Sequence, residues 1–183
     1  MVLALVLACA HPVDITLTAA EIAPTTADGK AWDGPNSLDP AAKGLLDSAL
    51  AKIDPSGQLS GSLGSATEKL QKPDPAGTLF FLAGDGSPPT TADVPEASDT
   101  LTPTWAPGVG TLRNVMWSPK ASLDVTVIDK DVSSDDPIGR VRLTAAQLSA
   151  AEARDGAFTI DVADATSGQL RSVSVVVVKS PTP

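Results

Sequence analysis

The 183-residue chain has one His, one Cys and no Tyr, with only three Trp and three Phe. These scarcities exclude several chemistries before any pattern is read. A Ser-His-Asp or Cys-His relay needs a histidine or thiol beside its partner, and the single His11 and Cys9 both fall at the extreme N-terminus. Zinc sites built from Cys and His fail for the same want of ligands. Neither a G-x-x-x-x-G-K-[ST] phosphate loop nor a G-x-G-x-x-G fingerprint is present. So few aromatics leave little sugar-stacking surface for a carboxylate-pair glycosidase, and the chain is expected not to be an enzyme. Basic residues are also few: 13 Lys and Arg face 22 acids, for a net charge of -9. Duplex nucleic acid is thereby excluded as a partner, because affinity for phosphate backbones is supplied by clustered Lys and Arg. Anionic membranes are disfavoured as well, unless a cation intervenes.

What is abundant is Asp, which makes up 18 of the 22 acids, together with 16 Pro and 14 Gly. Asp is the short carboxylate of turns, caps and calcium loops, whereas Glu is the ordinary acid of helix surfaces. With 42% hydrophobic residues and a mean hydropathy of +0.08, the composition suits one loop-rich domain with a full core. The first ten residues are an apolar run too short to span a bilayer. Within it Val6-Leu7-Ala8-Cys9 resembles a bacterial lipobox, which implies lipidation of Cys9 and a lipid anchor at the cell envelope. Ala8-Cys9-Ala10 reads alternatively as an ordinary signal-peptidase site, giving a secreted protein, and an apolar N-terminal strand with a buried thiol is the third reading.

From Val13 the run Val13-Asp14-Ile15-Thr16-Leu17-Thr18 alternates apolar and polar, as a half-buried strand does. Similar runs cover 78–82, 112–117, 123–128, 139–143, 158–162 and 170–178, most bounded by Gly, Pro, Asp or Ser. Short strands at this spacing predict an all-β antiparallel sandwich. Two segments break the rhythm. Residues 40–53 place Leu45, Leu46, Ala49, Leu50 and Ile53 on one helical face behind Asp39 and Pro40, so 38–72 reads as an inserted helical excursion. Thr144 followed by helix formers predicts a one- or two-turn helix to Ala151. The stretch 84–100 reads as a polar loop, the tail 180–183 as frayed, and His11 as a solvated, mobile side chain. Trp32, Trp105 and Trp117 read as core or loop-packing residues.

The most informative segment runs Leu123-Asp124-Val125-Thr126-Val127-Ile128-Asp129-Lys130-Asp131-Val132-Ser133-Ser134-Asp135-Asp136-Pro137-Ile138-Gly139. Asp129 and Asp131 share parity, so an extended backbone aims both carboxylates the same way, and the returning loop brings Asp135 or Asp136 against them. Like charges at such distances need a cation or sharply raised pKa values. Hard oxygen donors on a loop select calcium. The plainer reading, a pair of turn-capping aspartates in solvent, stands beside it.

These residues resemble the C2 domain, the calcium- and phospholipid-binding sandwich. Asp129-Lys130-Asp131 followed by Asp136-Pro137-Ile138-Gly139 is similar to that family's third calcium loop. Lys72-Pro73-Asp74-Pro75-Ala76-Gly77-Thr78-Leu79 is similar to the end of its first loop. Ser98-Asp99-Thr100-Leu101-Thr102-Pro103-Thr104-Trp105-Ala106-Pro107 is similar to its "TKTLNPVWNE" stretch. The resemblance implies a single eight-stranded antiparallel C2-type β-sandwich over 11–179, with the helical insertion, 38–72, inside the first calcium loop. It implies calcium ligation by Asp33, Asp74, Asp129, Asp131 and Asp136, with the Lys130 carbonyl as a further oxygen. Because the interval after Asp131 is one residue short of the common pattern, Asp135 is an alternative to Asp136. The implied partner is a phospholipid surface or an acidic or envelope protein bridged through calcium. The alternative is a calcium-independent structural or adhesion domain that docks proteins through its insertion helix.

Overall fold

The computed structural model describes residues 11–29, 31–32, 72–131, 135–162 and 168–181. Cys9, Asp33 and nearly all of the expected insertion lie outside them. The strands are β1 His11–Ile22, β2 Pro75–Leu82, β3 Thr90–Val94, β4 Thr111–Trp117, β5 Ser122–Asp129, β6 Asp136–Thr144, β7 Phe158–Asp161 and β8 Leu170–Lys179. Helix α1, Ala145–Glu152, links β6 to β7. Two four-stranded antiparallel sheets form, in the orders β4-β1-β8-β7 and β3-β2-β5-β6.

The period-two pattern is what closes the sandwich. Val13, Ile15 and Leu17 on β1, Leu123, Val125 and Val127 on β5, and Val173 and Val175 on β8 are all fully buried. They make one core with Leu79, Phe81, Leu112 and Leu143. Each such side chain stabilises the fold by roughly 1.5–3 kcal/mol relative to exposure. Trp32, Trp105 and Trp117 all join this core, as expected. Helix α1 starts where the sequence placed it. Thr144 is its N-cap, and a capping box joins the Thr144 hydroxyl to the Gln147 backbone and the Gln147 side chain to the Thr144 backbone. Leu148 and Ala151 turn inward from it.

Three expectations change. The polar stretch 84–100 contains β3, an edge strand whose residues 90–94 pair with 77–81 of β2. An edge strand covered on one side needs few apolar residues, and only Ala92 and Val94 supply them. His11 is not a free side chain, for its Nε2 lies 2.7 Å from Glu152 Oε1 and its ring stacks on Trp117 at 5.5 Å. Ser180 is not frayed either: it is buried, its amide donates to the Pro12 carbonyl at 3.1 Å, and its hydroxyl donates to Asp14. The same Asp14 oxygen accepts the amide of Asn114, whose φ of 54° bends β4 at a bulge opposite β1.

At the end of the sandwich where β5 meets the 130s loop, β2, β5 and β6 lie side by side with β5 in the middle. Register places Asp129 opposite Pro75 on one flank and opposite Asp136 on the other. Gly168, at φ 66°, lets the start of β8 approach this end, because a Cβ there would stand 2.5 Å from the Ile138 carbonyl oxygen.

Candidate metal centre

Asp129 is the centre of the acidic cluster and is only 1% exposed. Its Oδ1 accepts the backbone N–H of Asp74 at 2.7 Å, while the Lys130 N–H donates to the Asp74 carbonyl at 3.0 Å. Asp74, just ahead of β2, is therefore tied to the end of β5 by two hydrogen bonds. On its other side Asp74 is held by the β3–β4 connection. Ala97 N–H donates to the Pro75 carbonyl and Thr100 N–H to the Pro73 carbonyl, each at 2.9 Å, and Asp99 N–H donates to Asp74 Oδ1 at 2.6 Å.

Burial pushes the Asp129 carboxyl up to about 6, against the lowering effect of the Asp74 amide, and the charges of Asp131, Asp74 and Asp136 push the same way as burial. Asp124, five residues earlier on the same strand, is just as buried at 2% exposed, yet its carboxyl is held below the ordinary value. The cause is Arg142, which donates to it from Nε and Nη2 at 2.7 and 2.8 Å, reinforced by Arg140 against the opposing cost of burial. Among the described residues, Asp124 has two cationic partners and Asp129 has none. The nearest cation in sequence, Lys130, directs its ammonium to Asp135 at 3.0 Å, and both side chains stay substantially exposed.

Of the residues the sequence singled out, Asp74, Asp131 and Asp136 lie at one end of the sandwich and act on a fourth, the buried carboxylate of Asp129. Asp135 is bound instead to the Lys130 side chain. Asp33 lies outside the described residues. Its neighbour Trp32 donates its indole N–H to the Ala23 carbonyl at 2.9 Å and lines a cleft of about 270 Å³ beside Asp136 and Pro137. Among the described residues no group of three or more acidic, His or Cys side chains already stands at metal-holding distance. The donor chemistry of the cluster, carboxylate oxygens at strand ends and just beyond them, nevertheless suits a hard divalent cation. Sequence reading gave no role to Asp99 or Asp124. Asp99 acts through its backbone, which no side-chain motif reveals. Asp124 looks like a solvent-facing position until β6 brings two arginines across from it.

No family model matches the chain, and no curated protein matches it. Solved structures do. The chain superimposes on the first C2 domain of a plant extended synaptotagmin 1 with a TM-score of 0.50 at 13% identity, over 94% of this chain and 96% of that one. A structure of CC2D1B gives 0.49 at 11% identity, over 94% of this chain and 56% of that one. Extended synaptotagmin 2, in a structure of its SMP domain and two C2 domains, gives 0.48 at 13%, over 93% and 28%. The first of these carries the conclusion about architecture: this chain has the C2-type sandwich fold.

Proposed function

We propose that the chain is a calcium-dependent binding module, not an enzyme, that attaches to phospholipid surfaces. The observation that carries this reading is the buried, uncompensated Asp129 among three further carboxylates. A fold that shields a carboxylate from water and surrounds it with like charge stays ionised only at a cost, and a divalent cation removes that cost. Asp74, Asp129, Asp131 and Asp136 would hold the ion, with the Lys130 carbonyl and Asp33 as further oxygens. Bound calcium supplies positive charge and open coordination positions to which a lipid phosphate can bind. Without it, a chain of net charge -9 is repelled by an anionic bilayer. The Val6–Cys9 motif supports a lipid anchor at a bacterial envelope, with the sandwich as the calcium-responsive part.

The test is a calorimetric calcium titration of the wild type and of Asp129→Asn/Asp131→Asn, paired with sedimentation on phosphatidylserine vesicles with and without calcium. Heat and sedimentation that depend on calcium and vanish in the double variant are expected. A wild type that gives neither heat nor a rise in melting temperature at millimolar calcium overturns the reading.

A further inference from the structure

The β3–β4 connection contributes no residue to the proposed ligand set, yet it is bonded to the Asp74 carboxylate and to the backbone on either side of it. Two backbone bonds bracket the aspartate, from Ala97 N–H to the Pro75 carbonyl and from Thr100 N–H to the Pro73 carbonyl. Between them Asp99 adopts φ 52°, the left-handed region that non-glycine residues visit at some cost and that Asp tolerates better than most. With the backbone in that conformation the Asp99 N–H meets Asp74 Oδ1 at 2.6 Å and the next N–H, of Thr100, meets the Pro73 carbonyl, while the Asp99 side chain itself is exposed. The connection is anchored further along by Trp105. Its indole N–H donates to the Pro95 carbonyl at 2.7 Å, and its backbone N–H donates to the Thr18 carbonyl at 2.9 Å. The strap that carries Asp99 is therefore fixed at both ends to the body of the sandwich.

We infer that Asp99 is a positioning residue for the calcium site: its backbone N–H, and not its carboxylate, holds one oxygen of Asp74 so that the other is presented to the ion. The inference rests on the calcium reading above. Hydrogen bonds from amides to carboxylates are among the stronger ones, and a ligand whose orientation is set in advance loses less freedom when the ion arrives. An exposed aspartate that resembles a further ligand is thus assigned a backbone role.

The test is calcium calorimetry on the full chain with Asp99→Gly, Asp99→Val and Asp99→Pro. Glycine keeps the N–H and favours positive φ, so Asp99→Gly is expected to bind within about twofold of the wild type. Asp99→Val disfavours positive φ, and Asp99→Pro removes the N–H altogether. Both are expected to bind about tenfold or more weakly, the loss of one hydrogen bond to a charged group. If Asp99→Pro fails to fold, Asp99→Val together with the Asp99 amide resonance decides: that resonance is expected downfield in the wild type and shifted upfield in Asp74→Ala. Affinity lost as fully in Asp99→Gly as in Asp99→Val shows the carboxylate acting and overturns the inference, as does affinity kept in all three. A wild type that binds no calcium is a different result, which overturns the proposed function and this inference with it.

Discussion

The backbone N–H of Asp74 donates to the Oδ1 of Asp129 across 2.7 Å, joining the end of β5 to the residue before β2. Among the described residues this bond is the one favourable polar contact that offsets the burial of the Asp129 charge, and it comes from a residue whose own carboxylate opposes that charge. Four expected outcomes follow from the way this end and its surroundings are built.

Asp129→Asn stabilises the metal-free protein at neutral pH. The Asn carbonyl still accepts the Asp74 amide, and the repulsion disappears. With the folded carboxyl near 6 and its unfolded value at 3.8, the folded state binds the proton more tightly. Wild-type stability therefore rises as pH falls through 6 toward 4, and is lower above 6. A gain of about 1–2 kcal/mol for the variant at pH 7.5, shrinking toward pH 4, is expected from chemical denaturation at several pH values. A variant less stable than wild type at pH 7.5 contradicts this.

Asp124→Asn acts in the opposite direction. Its carboxyl is lowered in the folded state by Arg142 and Arg140, so its contribution is present above the unfolded value of 3.8 and is lost as pH falls below it. The substitution leaves two arginines without their shared anion and is expected to destabilise by about 1.5–3 kcal/mol at pH 7. Denaturation midpoints at pH 7 and at pH 2.5 check this, with the difference from wild type narrowing at the lower pH.

Asp136 and Asp135 are expected to separate in calcium titrations. Asp136 stands opposite Asp129 across the ladder and adds to its charge burden, whereas Asp135 is bonded to the Lys130 ammonium. Asp136→Asn is expected to weaken calcium binding by about tenfold or more, and Asp135→Asn by less than about threefold, since affinity follows the charge gathered at the ion. Equal losses would show that the loop rearranges and that both carboxylates reach the metal.

Thr144→Ala removes the capping hydroxyl of α1, whose Leu148 and Ala151 complete the core. A destabilisation of about 1 kcal/mol is expected from thermal or chemical melting. Calcium binding should be unchanged, because the helix cap lies at the opposite end of β6 from Asp136.

Much of the sandwich was legible because a strand with one buried face declares itself by alternation. Val13, Ile15 and Leu17 on β1 and Leu123, Val125 and Val127 on β5 are spaced so that only one face is apolar, and those faces are the core. Strand β3 was not legible. A five-residue edge strand with two inward residues carries almost no periodic signal, and its Thr and Asp read as loop. His11 and Ser180 were misread for a related reason: their partners, Glu152 and Asp14, lie more than 140 residues away in sequence.

By itself the sequence determined that this is a β-rich chain whose acids are mostly Asp, and whose one His and one Cys both stand near its N-terminus. Alternation and turn chemistry are local properties, so they are written along the chain. Only the tertiary structure decided which acids are compensated. Asp124 and Asp129 stand five residues apart on one strand and are equally hidden from water, yet one meets two arginines and the other three carboxylates. Register between β2, β5 and β6 makes that difference, and register is set by the packing of the whole sheet, which no local pattern contains.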